Sequence, residues 1–169
     1  MTLEQPLATR PPASLAEAAE AHLDDVFGYL LYLTRSKETA EDLAGSTFEK
    51  ALRLWPRFDP QRGSARTWLL GIARTTALDW FRAEARRRKR EQAAALPERV
   101  DEVFVEGLSP ELEAALATLS AGEREVLALR VVLELDGDAT ARVLGISPTA
   151  VSTRLSRALK QLEERVNER

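Results

Sequence analysis

The sequence predicts an all-α chain: two small helical domains joined by an acidic linker, the second domain a helix-turn-helix. Three observations carry this reading. Apolar residues recur at three- and four-residue intervals along most of the 169 residues, and no stretch reads convincingly as a strand. An Ala-rich, then acidic, segment interrupts that pattern after residue 92. Near the C-terminus, the run from Ala141 to Leu155 has the turn chemistry of two helices meeting at an angle.

Residues 1–14, with Pro6, Pro11 and Pro12 among small polar residues, read as a flexible tail. The N-terminal domain is then expected over residues 15–92. Its first helix runs from about residue 14 to 34, with Leu23, Val26, Phe27, Leu30 and Leu31 facing inward. His22, at the edge of that stripe, is expected to be solvated and without a role. The second helix is the most regular: Ala40, Leu43, Ala44, Thr47, Phe48, Ala51, Leu52 and Trp55 follow the helical spacing, and Pro56 ends the run. Its other face carries Glu38, Glu41, Asp42, Glu49, Lys50 and Arg53, a wet surface or a charged face for a partner.

Residues 59–64 form a loop by composition, and Ser64 caps a third helix reaching about residue 90. Trp68, Leu69, Ile72, Ala73, Thr76 and Trp80 make its apolar stripe, with Arg66, Arg74, Arg82 and Arg86 around it. An aromatic-rich helix start beside a Gly-containing basic loop, with Arg62 and Gly63, can stack an unpaired base and hold its phosphate. Packing is the expected first duty of Trp68 and Trp80 all the same.

Residues 93–109 read as an interdomain linker, and residues 110–169 as the C-terminal domain. A short helix is expected from Pro110 to Leu119. Another follows from Ala121 to Leu133, with Val126, Leu127, Leu129 and Val132 inward. In the helix-turn-helix, Gly145 takes the left-handed position that ends the first helix. Ser147 caps the second, and Pro148 fills its first turn, where no amide donor is needed. Val151, Leu155, Ala158, Leu159 and Leu162 form the inner stripe of that last helix. Thr149, Thr153, Ser156, Arg157 and Lys160 lie roughly opposite, which suits a helix entering a major groove N-terminus first.

Composition narrows the function. The chain is 44% hydrophobic and 30% charged, as expected of a globular domain, and no apolar run approaches a bilayer span. With no cysteine there is no thiolate nucleophile or cysteine metal site, and with His22 the one histidine no Ser-His pair, carboxylate constellation or glycine-rich phosphate loop stands out, so neither an enzyme nor a cofactor is expected. A signal-peptide core is missing from the first residues, and the cytoplasm is the expected location without membrane insertion. The net charge of −3 looks wrong for a DNA binder until it is divided along the chain. Residues 93–121 carry one Arg against six acids, whereas cations cluster at Arg82, Arg86, Arg87, Arg88, Lys89 and Arg90. Local field, not total charge, steers a polyanion.

Taken in order, these segments resemble the bacterial RNA polymerase sigma factors of the minimal, extracytoplasmic-function (ECF) class. Ala40-Glu41-Asp42-Leu43 and Thr47-Phe48 resemble the helix that docks on core polymerase. Arg66-Thr67-Trp68-Leu69-Leu70-Gly71-Ile72-Ala73-Arg74, with Asp79 and Arg82, resembles the segment that melts and reads the minus-ten promoter element. Residues 119–129 and the helix-turn-helix resemble the domain that reads the minus-thirty-five element. The resemblance spans about residues 20–165. It implies core RNA polymerase and promoter DNA as partners, and an anti-sigma factor as a regulator.

By that resemblance Glu41, Asp42, Thr47 and Glu49 face polymerase. Arg62, Ser64, Arg66, Trp68, Arg74, Thr75, Asp79, Arg82 and Arg86 meet the melted strand. Thr149, Ser152, Thr153, Arg154, Ser156, Arg157 and Lys160 meet the upstream duplex. The chain departs from the family pattern with Gly45-Ser46 in place of Gln-Glu, Thr75 for Asn, and Ser152 where Lys is frequent. Thr140 brings a hydroxyl to a core position, where it needs a backbone acceptor. From the residues alone two other readings stay open. One is a stand-alone helix-turn-helix regulator that binds an operator without polymerase. The other is a helical adaptor using the face of residues 41–53.

Overall fold

The computed structural model describes residues 10–92 and 109–168, among which lie seven α-helices and no strand. All of the expected linker but Ser109, and most of the expected tail, fall outside the described residues. Helix α1 spans Leu15–Thr34 and starts at Ser14, whose side chain accepts from the Glu17 amide; it stops at Arg35, which is left-handed at φ 53°. Helix α2 spans Lys37–Leu54, capped by Ser36, and Pro56 converts its end into a 3₁₀ turn, Trp55–Arg57. Helix α3 spans Ala65–Glu91, capped by Ser64. At 1.5 Å per residue it is about 40 Å long, and α1, α2 and the first half of α3 pack as a three-helix bundle.

In the C-terminal unit, α4 spans Pro110–Ala117 and α5 spans Ala121–Leu127, the latter opened by a capping box between Ser120 and Glu123. Where one helix to Leu133 was expected, α5 runs into a π turn, Ala128–Val132. The wider turn inserts a residue into the helical phase. Val126, Leu127 and Leu129 stay buried, but Val132 is 69% exposed instead of inward. Helices α6 (Gly137–Leu144) and α7 (Pro148–Asn167) form the helix-turn-helix. Between them Gly145 sits at φ 64°, and its amide and that of Ile146 both donate to the Ala141 carbonyl.

Three other expected core residues are exposed. Leu52 and Leu159 lie at the margins of their stripes, beyond the cover of a neighbouring helix. Leu23 is exposed because the buried arc of α1 is turned towards Val26 and Tyr29. His22 is half-buried instead of solvated; desolvation holds its pKa below the ordinary value, outweighing the nearby Asp25 carboxylate. On α3, Leu69 and Leu70 are both fully buried although 100° apart. That helix is therefore covered on two sides.

Its second cover is the C-terminal unit. One apolar cluster joins the bundle to Val126, Ala128, Leu129, Leu135, Ala141, Val143, Leu144 and Val151, and α6 lies along α3. Polar contacts flank this seam. The Tyr29 hydroxyl donates to Glu125 Oε1 (3.1 Å), and the Tyr32 hydroxyl donates to the Arg124 carbonyl (2.9 Å). A smaller cluster of Leu116, Leu119, Leu127 and Ala158 forms a second core, with Leu155 and Leu162 packed against it.

Thr140 is fully buried, and its hydroxyl finds no partner, contrary to the expected backbone acceptor. A buried, unpaired hydroxyl costs about 1–3 kcal/mol. Thr140→Val keeps the shape and removes that oxygen, so it is expected to stabilise the fold by about 1–2 kcal/mol. A higher urea midpoint at unchanged slope is the sign to look for; a lower midpoint contradicts the assignment.

Candidate nucleic-acid interface

The α3 helix presents two opposite faces. Trp68, Ile72, Thr75, Asp79, Arg82 and Arg86 follow at alternating four- and three-residue steps, so they share one stripe about 27 Å long. Arg66, Leu70 and Arg74 stand on the other side. At the head of the stripe is a pocket of about 450 Å³. Phe58, Trp68, Leu54 and Ile72 supply its apolar walls, and Lys50, Arg57 and Arg62 its cations. The aromatic floor is a cluster of three packed rings. Trp55 stacks on Phe58 at 4.8 Å between ring centroids, and Trp68 meets both at 5.7 and 5.3 Å. Trp68 thus both packs the bundle and lines the pocket. Such a site suits a flat base stacked on rings, its phosphate met by the rim cations.

Each sequence-predicted residue of this region has a distinct placement. Arg62, Ser64, Trp68 and Thr75 line the pocket. The Ser64 hydroxyl is engaged as the α3 cap, accepting from the Thr67 amide at 3.1 Å, and Thr75 Oγ1 donates to the Gly71 carbonyl at 3.1 Å. Asp79 lies further along, between Lys50 Nζ (3.9 Å) and Arg82 (3.4 Å). Arg82 and Arg86 are exposed on the part of α3 that projects beyond the bundle. Arg87 there pairs with Glu84 at 2.8 Å and Glu91 at 3.4 Å; Arg86, Arg88, Lys89 and Arg90 turn to solvent.

Arg66 and Arg74 are not brought to the pocket. Arg66 Nε donates to Asp25 at 2.6 Å and its Nη2 to the Leu133 carbonyl. Arg74 donates from Nε to Glu125 Oε1 at 3.0 Å and from Nη2 to Oε2 at 3.4 Å. Both belong to the seam, and a helical-wheel projection of α3 separates them from the Trp68 stripe. Arg57, Phe58 and Arg142 are pocket residues that the sequence reading did not single out, and Lys50, placed on the charged face of the second helix, lines the pocket as well. Arg57 and Phe58 had a signal, sitting directly before the basic loop. Arg142 had none, because it comes from α6, far along the chain.

Burial first, and then the Glu125 carboxylate, push the Tyr29 phenol well above its ordinary value of 10.0, against the opposing pull of Arg74. The neutral phenol is the form that fits the folded seam. Its stabilising contribution is complete below pH 10 and is lost as the pH rises through the raised folded value. Stability measured by urea unfolding is expected to fall more steeply above pH 10 in the parent than in Tyr29→Phe. Equal slopes would contradict this account of the seam.

The second surface is the start of α7. Thr149, Ser152, Thr153, Ser156, Arg157 and Lys160 are all exposed, presenting short hydroxyls first and cations further along. Ser152 donates to the Pro148 carbonyl and Thr153 to that of Thr149. Arg154 is half-buried instead, its guanidinium lying against Gly122. On α2, Glu41, Asp42 and Glu49 are exposed as expected of a docking face. Thr47 corrects the fourth assignment there: it is fully buried, donating to the Leu43 carbonyl at 2.7 Å, so it packs the core and does not stand on the exposed face. Gly45 and Leu52 lie exposed on the same helix.

Among the described residues no group of three His, Cys, Asp or Glu is placed to hold a metal, and no helix is long and apolar enough to cross a membrane. Comparison with known proteins gives two family matches: Sigma-70 region 2 over residues 18–87 and Sigma-70 region 4 over residues 109–162. The ECF RNA polymerase sigma factor SigX of Bacillus subtilis is 30% identical over 86% of this chain and 79% of its own length. The RNA polymerase sigma factor YlaC of the same organism is 32% identical over 89% and 91%. Among solved structures, the sigma factor RpoE bound to the anti-sigma factor NepR, from Bartonella quintana, superposes with a TM-score of 0.75. Its identity is 21%, covering 90% of this chain and 96% of that one, and shows a shared fold. Its two matched regions and the extent of its similarity to SigX and YlaC establish that the chain belongs to the ECF class of RNA polymerase sigma factors, non-catalytic factors of transcription initiation.

Proposed function

We propose that residues 15–92 bind core RNA polymerase and the melted minus-ten strand, that residues 93–109 connect, and that residues 110–169 read the minus-thirty-five duplex. The observation that carries this reading is the exposed path from the aromatic pocket to the cationic end of α3, paired with a separate exposed hydroxyl-and-cation face on α7. The first face matches a flipped base and its strand: rings for stacking, Arg57, Arg62 and Lys50 for phosphate, then Arg82 and Arg86 along the backbone. The second matches a major groove, with Thr149, Ser152, Thr153 and Ser156 near base edges and Arg157 and Lys160 near phosphates.

Each face has few cations, so each alone binds feebly and with strong salt dependence. Held at one spacing on polymerase, the second contact becomes intramolecular and the pair acts with avidity. Glu41, Asp42 and Glu49 on α2 are the polymerase contacts in this reading. The protein works in the cytoplasm, where its template is. An anti-sigma partner is supported by the complex in which the Bartonella relative in fold was solved.

Reconstitution is the direct test. Core polymerase with this chain is expected to start transcripts at defined positions on DNA carrying its promoter; a chain that neither binds core nor directs initiation contradicts the proposal. Thr149→Val and Thr153→Val are expected to alter sequence preference upstream, each by about 1–3 kcal/mol at the contacted base pair. A selection over randomised upstream sequence reads this out, and an unchanged preferred sequence would return both residues to the solvated surface.

A further inference from the structure

We propose that the cavity between the start of α1, the loop of residues 59–64 and α6 is a binding site for a free nucleotide carrying at least two phosphates. Its anchors are Arg62 and Arg142. The inference goes beyond the strand-binding reading above and stands without it.

The cavity encloses about 800 Å³, within the roughly 300–1,000 Å³ usual for small-molecule sites. It shares Phe58, Arg62, Gly63, Ser64 and Arg142 with the aromatic pocket. The remaining walls differ. They come mainly from α1 and the residues before it, whereas the aromatic pocket is walled by α2 and α3. The two are neighbouring spaces beside one loop.

Guanidinium groups reach this cavity from separate segments: Arg10 ahead of α1, Arg62 in the loop, Arg66 on α3 and Arg142 on α6. Arg66 is already engaged, by Asp25 at 2.6 Å and by the Leu133 carbonyl. Arg62 and Arg142 are not: among the described residues neither side chain makes an ion pair or a hydrogen bond. Arg142 Nη1 nevertheless lies against the loop, about 3.0 Å from where a Gly63 Cβ would stand, one residue from Arg62. Gly63, lacking a side chain, leaves the space that this guanidinium takes. Two like charges held beside one loop repel each other unless an anion lies between them. A guanidinium grips a phosphoryl group through two parallel N–H bonds, so a pair of them matches a diphosphate.

The other walls suit a nucleoside. Glu17, a carboxylate lining the cavity, accepts from the Ala13 amide through Oε2 at 2.9 Å and pairs with neither arginine. Its second oxygen and the Gln61 side-chain amide supply acceptors and donors for ribose hydroxyls. Phe58, Pro11, Pro12 and Pro60 give an apolar wall for the base. A few placed polar groups in an apolar frame is the usual anatomy of a small-molecule site, and it favours a nucleotide over a bare polyphosphate.

Calorimetric titration of the full chain with ADP is the test. ADP is expected to bind at one site, AMP more weakly, and adenosine not measurably. Arg62→Ala and Arg142→Ala are each expected to weaken ADP binding about tenfold or more, the effect of losing a charge-assisted hydrogen bond. Arg142→Lys keeps the charge without the planar fork, so its affinity is expected to fall between parent and Arg142→Ala. Arg53→Ala removes an exposed cation of α2 outside the cavity and is expected to leave the affinity as it is. Arg53, Arg62 and Arg142 are all exposed, so far-UV circular dichroism is expected to show each variant folded. At equal ADP, the melting midpoint of the parent is expected to rise more than that of Arg142→Ala.

A parent that does not bind ADP overturns the proposal, as does an affinity that neither arginine variant reduces. Pyrophosphate binding as tightly as ADP leaves the nucleoside walls without a role and overturns the nucleotide assignment. The competing occupant is the promoter strand. If a minus-ten single-stranded oligonucleotide loses as much affinity as ADP on Arg142→Ala, the cavity belongs to that strand and the proposal falls. A chain that binds ADP through both arginines but does not bind the oligonucleotide supports this site and contradicts only the strand-binding reading.

Discussion

Neutralising Arg86, Arg88, Lys89 and Arg90 together is expected to flatten the salt dependence of single-strand binding by about 3 in log–log slope, at about 0.7 per phosphate contact. Between 50 and 200 mM salt, the advantage of the parent over the variant should then shrink on the order of 50-fold. The expectation follows from placement. These four side chains project from the end of α3, past the bundle, and they face solvent. Arg87 is left out because Glu84 and Glu91 already hold it. The loss should be nearly the same for every sequence, because phosphate contacts carry register and no base identity. Titrations at several salt concentrations decide the matter: parallel plots for parent and variant would mean that the arm is surface only.

Truncation of Leu129 to Ala should cost about 2–5 kcal/mol. Leu129 is fully buried in the π turn, which touches both α1 and α6, and its carbonyl accepts the Leu135 amide at 2.9 Å. Removing its branched end opens a void where three elements meet, and the backbone around it is too constrained to collapse inward. For a chain of this size the melting temperature should drop by roughly 4–20 °C. The contrasting variant is Val132→Ala, three residues on, where the side chain is 69% exposed and the change should stay within about 0.5 kcal/mol. Simple helical phasing assigns both residues to the core; the π turn separates them. Comparable losses for the two variants would contradict the turn.

Where the chemistry is local, the residues announced their own structure. Gly145 at φ 64°, Ser147 as cap and Pro148 in the first turn each act within a few positions, and the helix-turn-helix follows from them. The same holds for Ser64, the cap of α3; Ser14, Ser36 and Ser120 cap their helices by the same local chemistry, though they are not singled out in the sequence reading. Long amphipathic stripes were equally plain, which is why α2 and its buried Ala40, Leu43, Ala44 and Ala51 were readable. Thr47 shows the limit of reading a helix by motif. A family-like docking segment included it, yet its position at the centre of the buried arc takes it off the exposed face.

The π turn escaped because a shift of hydrogen-bond register leaves no trace in hydrophobic spacing until its consequence, an exposed Val132, is seen. Arg66 and Arg74 were assigned to the melted strand by resemblance to the family's segment, which carries no information about their partners in space. Their partners Asp25, Glu125 and the Leu133 carbonyl are 41 to 67 residues away, and only packing brings them together.

The order of residues alone determined an all-helical chain, the caps and the turn of its DNA-reading motif, and the separation of its cations from its acids, because these depend on interactions within a turn or two of helix. Assembly of the folded chain decided which side of α3 stays exposed, which cations pair internally, and how the two units lean together. Those outcomes rest on burial of apolar surface and on charges meeting across long stretches of sequence, where no local pattern specifies the partner.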